Sequence, residues 1–316
     1  MEERIETSVE LEKDRLLLEV AGEDRASFLH GMLSNDVTGL GAGGGAAALL
    51  LTEQGRIVAQ MNLLVLDDRI LLDLTSGACE RLRPALERFI VADDVEFEQE
   101  AAVAVTLRGE GSRALLGNSI GAIPELASGS HVVVPWGPGT VRVARVDDLG
   151  IPAYRLWCPD IGAAESLLEQ LVDAGATHLS PEARETLRLE AGVASEGVDF
   201  DESTLAPEVP SLAHAISNRK GCYLGQEVVE RVASRGKVKW LVAPLVLDGP
   251  YAPGAQLQVA DKTVGHLTSV ARDSIDGKFA AIARVRREVF DGGEPMVVST
   301  PEETGKAWPE PRSPRG

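Results

Sequence analysis

The chain has 316 residues, of which 44% are hydrophobic and 25% are charged. This composition is ordinary for a globular protein, and the length suits two or three structural units. The net charge of −18 argues against direct binding to nucleic acid, because a grip on the phosphate backbone needs clustered Lys and Arg. No apolar run reaches the roughly 20 residues of a membrane span, and the acidic start "MEERIETSVE" lacks a signal-peptide core. We therefore expect a cytoplasmic protein without a membrane partner.

The first part of the chain predicts strands and helices in alternation. "DRLLLEV" (14–20) is typical of a strand, and the helical spacing of Phe28, Leu29, Met32 and Leu33 predicts a helix with Asp24 as its cap. The glycine-rich loop 39–47 has neither GxGxxG spacing nor a P-loop lysine, which disfavours nucleotide binding.

Residues 47–75 predict three strands of a β-meander, with turns at Glu53–Gly55 and Asp67–Arg69. An amphipathic helix is expected over 76–91, although Pro84 conflicts with it and could shift its start. Further strands are predicted at 95–100, 103–109 and 154–159. A short helix is expected near 112–118, a hairpin over 129–146, and helices over 160–175 and 180–192.

After residue 236 only short strands broken by Gly, Pro and Asp are predicted, which indicates a small β-barrel or sandwich. The predicted fold class is therefore α+β, with an α+β region over 1–235, a β-barrel over 236–302 and a flexible tail over 303–316.

"LRLEAG" (187–192), followed by an acidic loop that reaches Glu208, is the first candidate for chemistry. A carboxylate that faces a pocket, such as that of Glu190, can accept two parallel N–H bonds from a flat heterocycle such as a pterin. The residues alone favour the other interpretation, in which Glu190 is a capping or surface carboxylate.

"NRKGCYLGQEVVER" (218–231) is the second candidate. Arg219 and Lys220 could stabilise a thiolate at Cys222, helped by the backbone amides of a helix that begins near Gly225. Such a thiolate would be a nucleophile or a metal ligand. The alternative is that Cys222 is a small buried hydrophobic residue.

The cysteines and the pair Asn35–Asp36 complete the candidates. Cys79, Cys158 and Cys222 lie far apart with no CxxC or Cys/His cluster, which predicts free thiols and no resident metal site. Asn35 and Asp36 are expected to turn the chain at a helix end, and a ligand-facing role is the less favoured interpretation.

"KGCYLGQE" (220–227) resembles the signature of the YgfZ-type folate-binding proteins, which are relatives of the aminomethyltransferase (T-protein) of the glycine cleavage system. "LRLEAG" and the stretches "GEDRASFLHGMLSNDVTGL" and "LLLTEQGRIVAQMNLL" also resemble this superfamily, so that the similarity spans about residues 10–300. The resemblance implies two intertwined α+β subdomains within 1–235, around a central cavity for tetrahydrofolate or a folate derivative, followed by a small β-barrel.

The resemblance also implies site residues. Glu190 would hold the pterin, and Tyr223 would pack on a flat ring. Cys222 is the expected catalytic residue, and the residues expected to bind folate are Glu190, Arg188, Glu208, Tyr223, Arg219, Lys220, Asn35 and Asp36.

One departure from the T-proteins bears on activity. T-proteins carry a pair of aspartates shortly after the turn that matches Gly55, and here Ala59 and Gln60 supply no carboxylate there. The missing carboxylate disfavours methylene transfer. The resemblance to the YgfZ-type proteins implies a folate-binding accessory protein of iron–sulfur cluster assembly or repair, which supports tRNA modification indirectly and works with assembly or client proteins. The alternatives are a folate-dependent one-carbon transferase and a scaffold with a relic pocket.

Overall fold

The computed structural model describes residues 7–236, 238–274, 276–301 and 304–310. The chain forms two compact units that are interleaved in sequence. The first unit contains the described residues of Met1–Leu51, Val58–Ser180 and Ala215–Leu224, and the second contains those of Thr52–Ile57, Pro181–His214 and Gly225–Gly316. The region 1–235 thus contributes to both units.

The first unit contains two sheets and four helices. Its elements are β1 (Ser8–Glu12), β2 (Arg15–Ala21), α1 (Arg25–Met32), β3 (Gly45–Leu51), β4 (Ile57–Val65), β5 (Ile70–Thr75), α2 (Ser76–Glu87), β6 (Glu96–Glu100), β7 (Val103–Arg108), α3 (Ser112–Ile120), β8 (His131–Trp136), β9 (Gly139–Asp148), β10 (Ile151–Cys158), α4 (Ile161–Asp173) and β11 (Thr177–His178). One sheet has the strand order β3-β4-β5-β2-β6, and the other has the order β11-β1-β7-β10-β9-β8. The predicted meander is present as β3-β4-β5, whereas α2 starts at Ser76 and continues through Pro84 instead of starting later.

Hydrophobic residues at alternate strand positions give this unit four layers. One core lies between α1, α2 and the five-stranded sheet, and another lies between α3, α4 and the six-stranded sheet. The two sheets face each other across a third core, which contains Leu17, Leu71 and Trp157.

A buried ionic network also joins the two sheets. Asp73, which is fully buried, pairs with Arg15 and with Arg155, each at 2.6 Å. Glu12 pairs with Arg108 at 2.6 Å. Burial alone would raise the pKa of Glu12, but the nearby guanidinium groups of Arg155, Arg15 and Arg108 outweigh it and hold that pKa well below its usual range.

The second unit is built on a closed barrel. Its elements are α5 (Pro181–Glu190), 3₁₀ segments at Ala206–Glu208 and Pro210–Ala215, α6 (Gln226–Arg235), β12 (Trp240–Leu247), β13 (Gln256–Val259), β14 (Lys262–Val270), β15 (Phe279–Arg286), α7 (Arg287–Gly292), β16 (Met296–Ser299) and β17 (Thr304–Pro309). The barrel order is β12-β15-β14-β13-β16-β17. This six-stranded barrel after an α+β region confirms the predicted fold class.

Two details of the barrel bear on the site. Helix α5 packs against β15 on the outside of the barrel. The chain just after that helix lies close to β12, since a Cβ added at Gly192 would be 3.1 Å from Pro244. Thr304–Pro309, which the sequence analysis assigned to a flexible tail, pairs with β12 and β16 and closes the barrel. The rest of the predicted tail at 311–316, with residue 303, lies outside the described residues.

None of the helices in the described ranges combines the length and the apolar character that a membrane crossing needs.

Candidate functional site

In the first unit, the segment 215–224 carries Cys222 and is fastened to the loop after α1. The buried hydroxyl of Ser34 donates to the Ala215 carbonyl at 2.7 Å, and the Ser217 amide donates to the Ser34 carbonyl at 3.0 Å. The Leu224 amide donates to the Gly31 carbonyl at 3.2 Å. These bonds hold both ends of the segment, so that Cys222 lies on an irregular stretch of chain whose two ends are fixed.

Lys220 is the central attachment of this segment. Its Nζ donates to the carbonyl oxygens of His30 at 2.5 Å, Leu33 at 2.5 Å and Asn35 at 3.2 Å. These three bonds use all three N–H donors of the ammonium group. Burial lowers the pKa of Lys220 to about 8, against the opposing charge of Asp36. The geometry favours a role in positioning the segment over the predicted contact with folate.

Cys222 itself is exposed, whereas Cys79 is half-buried and Cys158 is buried. Burial, with the charge of Asp160, raises the pKa of the Cys158 thiol to about 12. The alternative interpretation, that Cys222 is a small buried hydrophobic residue, is therefore wrong. Of the three thiols, Cys222 is the most accessible to solvent, small thiols or another protein.

Tyr223 and Arg219 differ in exposure. Tyr223 is buried, with the ammonium of Lys220 5.0 Å from its ring centroid. This cation–π contact adds to the attachment of the segment. Arg219 is exposed, and its amide donates to the Ser217 hydroxyl at 3.2 Å.

Asn35 and Asp36 build the turn after α1. The Asn35 side chain donates to the Ala47 carbonyl at 2.8 Å and accepts from the Asp36 amide at 2.9 Å. The Asp36 carboxylate accepts from the Gly39 amide at 3.1 Å, and this bond, with the charge of His30, lowers the pKa of Asp36. These contacts favour the turn-forming interpretation.

Ala59 and Gln60 lie on opposite faces of β4. Ala59 is fully buried in the core beneath α1 and α2. Gln60 projects from the other face, and its Oε1 atom is buried with no hydrogen-bond partner in the described part of the chain. Position 60 therefore carries a neutral amide oxygen as hydrogen-bond acceptor instead of a carboxylate.

In the second unit, Arg188 is buried near the end of α5 and all of its N–H donors are used. Its Nε and Nη2 donate to the Glu185 carboxylate at 2.8 and 2.5 Å, and Nη2 also donates to Ser269 Oγ at 3.0 Å. Its Nη1 donates to the Val193 carbonyl at 2.7 Å and to Asp199 at 2.5 Å. A guanidinium has five N–H donors, so none remains for a ligand. This geometry favours a positioning role for Arg188.

Asp199 is the acceptor at the centre of this network. Its carboxylate accepts from the hydroxyls of Thr268 at 2.6 Å and Ser269 at 2.7 Å, and from the Ser195 amide at 2.8 Å. It thus joins α5, the following loop and barrel strand β14. The sequence analysis gave this residue no role beyond its place in the acidic loop before Glu208, because its barrel partners lie about 70 residues away.

Glu190 and Glu208 are the other two predicted folate-binding carboxylates of this unit. Glu190 is half-buried at the last position of α5. Glu208 is buried on a 3₁₀ turn, 3.7 Å from Nη2 of Arg284. Burial raises the pKa of Glu208, against the opposing effects of Arg284, the Leu205 amide and Arg56. Arg284 was not predicted, since no short motif surrounds it.

The family model of the GCVT N-terminal domain matches residues 16–220, which include the helix that bears Glu190 and the anchor Lys220. The chain belongs to this family. Cys222 lies just beyond the matched range.

Named relatives and one solved structure agree with this assignment. The chain is 28% identical over 288 residues to a chloroplastic protein of Arabidopsis thaliana, At1g60990, which is named as a candidate transferase; the match covers 89% of this chain and 66% of that protein. It is 27% identical over 285 residues to an aminomethyltransferase of Rubrobacter xylanophilus, covering 89% of this chain and 76% of that protein. Aminomethyltransferase T of the glycine cleavage system from Bartonella henselae superposes with a TM-score of 0.87 at 19% identity, covering 98% of this chain and 87% of that chain. This last match establishes an aminomethyltransferase-like fold.

Proposed function

We propose that this GCVT-family chain is a YgfZ-type protein that binds tetrahydrofolate and supports iron–sulfur cluster assembly or repair through the thiol of Cys222. The observation that carries the proposal is the exposed cysteine on a segment held at Lys220 and Leu224. A segment anchored at both ends keeps the sulfur at a fixed exposed position, which is what the transfer of a ligand to a partner requires.

The carboxylates of the second unit fit a folate. A pterin presents N–H donors along one edge, and a half-buried carboxylate such as Glu190 can accept two of them in parallel. The buried carboxyl of Glu208 is a second acceptor. Arg188 and Asp199 act indirectly, since they fix the helix end and the loop on which these two groups lie.

Two residues of β4 argue against methylene transfer. Attack of an amine on the folate carbon needs a base or an anionic carboxylate near the amine. Ala59 is sealed in a core and Gln60 offers only a neutral amide oxygen. Our proposal therefore keeps folate binding and assigns the chemical step to the thiol of Cys222.

Cys222 would act as a transient ligand of the cluster, which is cargo for this protein. Its thiolate would bind one iron, and a partner protein or a small thiol would supply the other ligands, because one thiolate cannot hold a cluster alone. Support of tRNA modification would be indirect, through modifying enzymes that contain clusters. The net charge of −18 is consistent with this indirect, cytoplasmic role.

The test is Cys222→Ala in a strain that lacks the protein. We expect loss of the rescue of cluster-enzyme activity, with an unchanged Kd for tetrahydrofolate. Cys79→Ala is the matched control and should rescue like the wild type, because Cys79 is half-buried within α2. Full rescue by Cys222→Ala contradicts the role of the thiol, and no folate binding at millimolar concentration favours a scaffold.

A one-carbon transferase is the second candidate, because the relatives above are named as transferases. The discriminating assay is folate-dependent glycine cleavage with a lipoyl carrier protein. Turnover that is insensitive to Cys222→Ala would support this candidate and overturn the first.

A further inference from the structure

Three side chains of the first unit bury polar atoms that have no hydrogen-bond partner among the described residues. These atoms are Nε and Nη1 of Arg142, Nε1 of Trp157 and Oε2 of Glu100. Trp157 is only 3% exposed. We call these three residues the intersheet polar cluster. Burying a polar atom without a hydrogen bond costs free energy, so the cluster is suited to a ligand that bonds these atoms.

The strand register places the cluster in the space between the two sheets. Arg142 on β9 lies directly opposite Trp157 on β10, and both share the face of Ala144, which belongs to the core between the sheets. Glu100 on β6 lies directly opposite Leu17 of the same core, so its side chain enters from the other sheet. The charge of Glu100 also acts on the pKa of Arg142, against the effect of burial, so the two groups are neighbours.

Arg142 and Glu100 do not meet directly. In the described part of the chain, no carboxylate oxygen lies within 4.0 Å of the Arg142 guanidinium. A bridging group fits such a separation, because two hydrogen bonds of about 2.8 Å each span roughly 5–6 Å. Arg142 and Trp157 together offer three buried N–H donors. One water oxygen accepts only two hydrogen bonds, so a group with several acceptor oxygens satisfies these donors better.

The charges around the cluster select the chemistry of the ligand. Burial lowers the pKa of Arg142, and the charge of Arg69 acts in the same direction. Arg69 is itself paired with Glu19 at 3.1 Å and with Asp68 at 3.0 Å. Arg142 therefore calls for an anionic oxygen, whereas the buried oxygen of Glu100 calls for a donor. An oxyanion that also carries a hydroxyl group meets both requirements.

A row of residues leads from the surface to the cluster. Val133 on the edge strand β8 lies opposite Arg142, which in turn lies opposite Trp157. Val133 is 47% exposed, Arg142 is half-buried and Trp157 is buried. A small ligand can thus approach from the edge of the sheet and reach Arg142 before Trp157.

We propose that the intersheet polar cluster binds a small oxyanion that still carries a proton, of which bicarbonate is the simplest. Its oxygens would accept from Arg142 and Trp157, and its hydroxyl would donate to Glu100. The bound anion would join the two sheets, in addition to the pair of Asp73 with Arg155. Hydrogen phosphate offers the same groups and is the second source of this chemistry. Neither anion takes part in the proposed function.

The experiment follows the indole N–H signals of the full chain in ¹H–¹⁵N spectra during a titration with sodium bicarbonate, at constant pH and ionic strength. The chain has four tryptophans, and Trp157→Phe identifies the signal of Trp157. We expect that signal to shift saturably, with half-saturation at about 1–10 mM. Arg142→Gln should raise the half-saturation at least about tenfold, because charge-assisted bonds are lost. Arg113→Gln, at an exposed arginine of α3, is the matched control and should keep the wild-type response.

Formate tests the role of Glu100, because it has the oxygens of the proposed ligand but no hydroxyl. In the wild type it should bind at least about tenfold more weakly than bicarbonate. Glu100→Gln should remove this difference, since the amide can donate to formate. This variant also keeps the inference testable if Arg142→Gln does not fold.

Two sets of outcomes decide the inference. A saturable shift with phosphate at lower concentration than with bicarbonate keeps the site and makes phosphate its ligand. No saturable shift with either anion overturns the inference and shows that the cluster is only hydrated. An equal response to chloride, or an unchanged half-saturation in Arg142→Gln, overturns it as well.

Discussion

Lys220 shows how one residue of a motif can differ in role from its neighbours. It lies two positions before Cys222, and sequence reasoning assigned it to the thiolate or to folate. Its ammonium instead donates to the carbonyl oxygens of His30 in the last turn of α1 and of Leu33 and Asn35 in the loop that follows, about 190 residues earlier in the chain. The exposed thiol and its buried support are thus encoded together in "KGCYLGQE".

At this scale we predict the effect of Lys220→Met. Loss of the three bonds should loosen the segment 215–224 and speed hydrogen exchange of the Leu224 amide by up to about 100-fold, since each of the three bonds contributes about 1 kcal/mol. Exchange measured by NMR or mass spectrometry is the readout. Lys262→Met, at an exposed barrel lysine, is the control. An unchanged Leu224 amide in Lys220→Met would show that the ammonium does not hold the segment.

At the scale of elements, the Arg188–Asp199 pair joins α5 and its loop to the barrel. Asp199→Asn should lower the free energy of unfolding by about 3 kcal/mol, because it leaves a buried guanidinium short of charge compensation. Urea unfolding measures this change. The exposed Glu182→Gln in the first turn of α5 should change it by less than about 0.5 kcal/mol. A loss equally small in Asp199→Asn would contradict the role of the pair.

The β13–β14 hairpin contains a correctable strain. Its two loop residues, Ala260 and Asp261, have φ angles of 47° and 61°, a conformation that Asn and Gly adopt more readily. Ala260→Asn combined with Asp261→Gly should therefore raise the free energy of unfolding by about 1–2 kcal/mol. Thermal unfolding is the measurement, and a lower Tm would contradict the assignment of strain.

The elements that the sequence predicts well are those with local signals. Asp160 accepts from the Ala163 amide at the start of α4, and alternating apolar residues mark the strands of the meander. Strand β17 was missed because its Pro-rich surroundings are typical of a frayed tail, whereas its pairing with β12 and β16 is a distant event. The exposure of Cys222 and the contact of Arg188 with Ser269 likewise depend on residues distant in sequence. No local pattern carries such information.

At the scale of the whole molecule, the buried ionic network of the first unit makes the stability of the fold depend on pH. The pKa of Glu12 in the folded chain lies below its ordinary value of 4.5, so the unfolded chain takes up protons first as the pH falls. The stability that Glu12 contributes is therefore present above about pH 4.5 and is lost progressively below it.

Glu12→Gln tests this dependence. The variant should be less stable at pH 7 by about 3 kcal/mol and should show a flatter loss of stability between about pH 4.5 and 2. Urea unfolding at a series of pH values is the measurement, with the exposed Glu165→Gln as the control. A wild-type slope in the acid range for Glu12→Gln would assign acid sensitivity to other carboxylates.

The interleaving of the two units limits where the chain can be truncated for expression. The chain passes from one unit to the other at five junctions, after residues 51, 57, 180, 214 and 224. A recombinant fragment that stops at 235 would therefore lack the barrel yet keep Arg188 and Asp199, with the hydroxyls of Thr268 and Ser269 gone. Such a truncation would leave the second unit incomplete and expose its interior to solvent. We expect the fragment to aggregate on expression instead of folding as an independent domain.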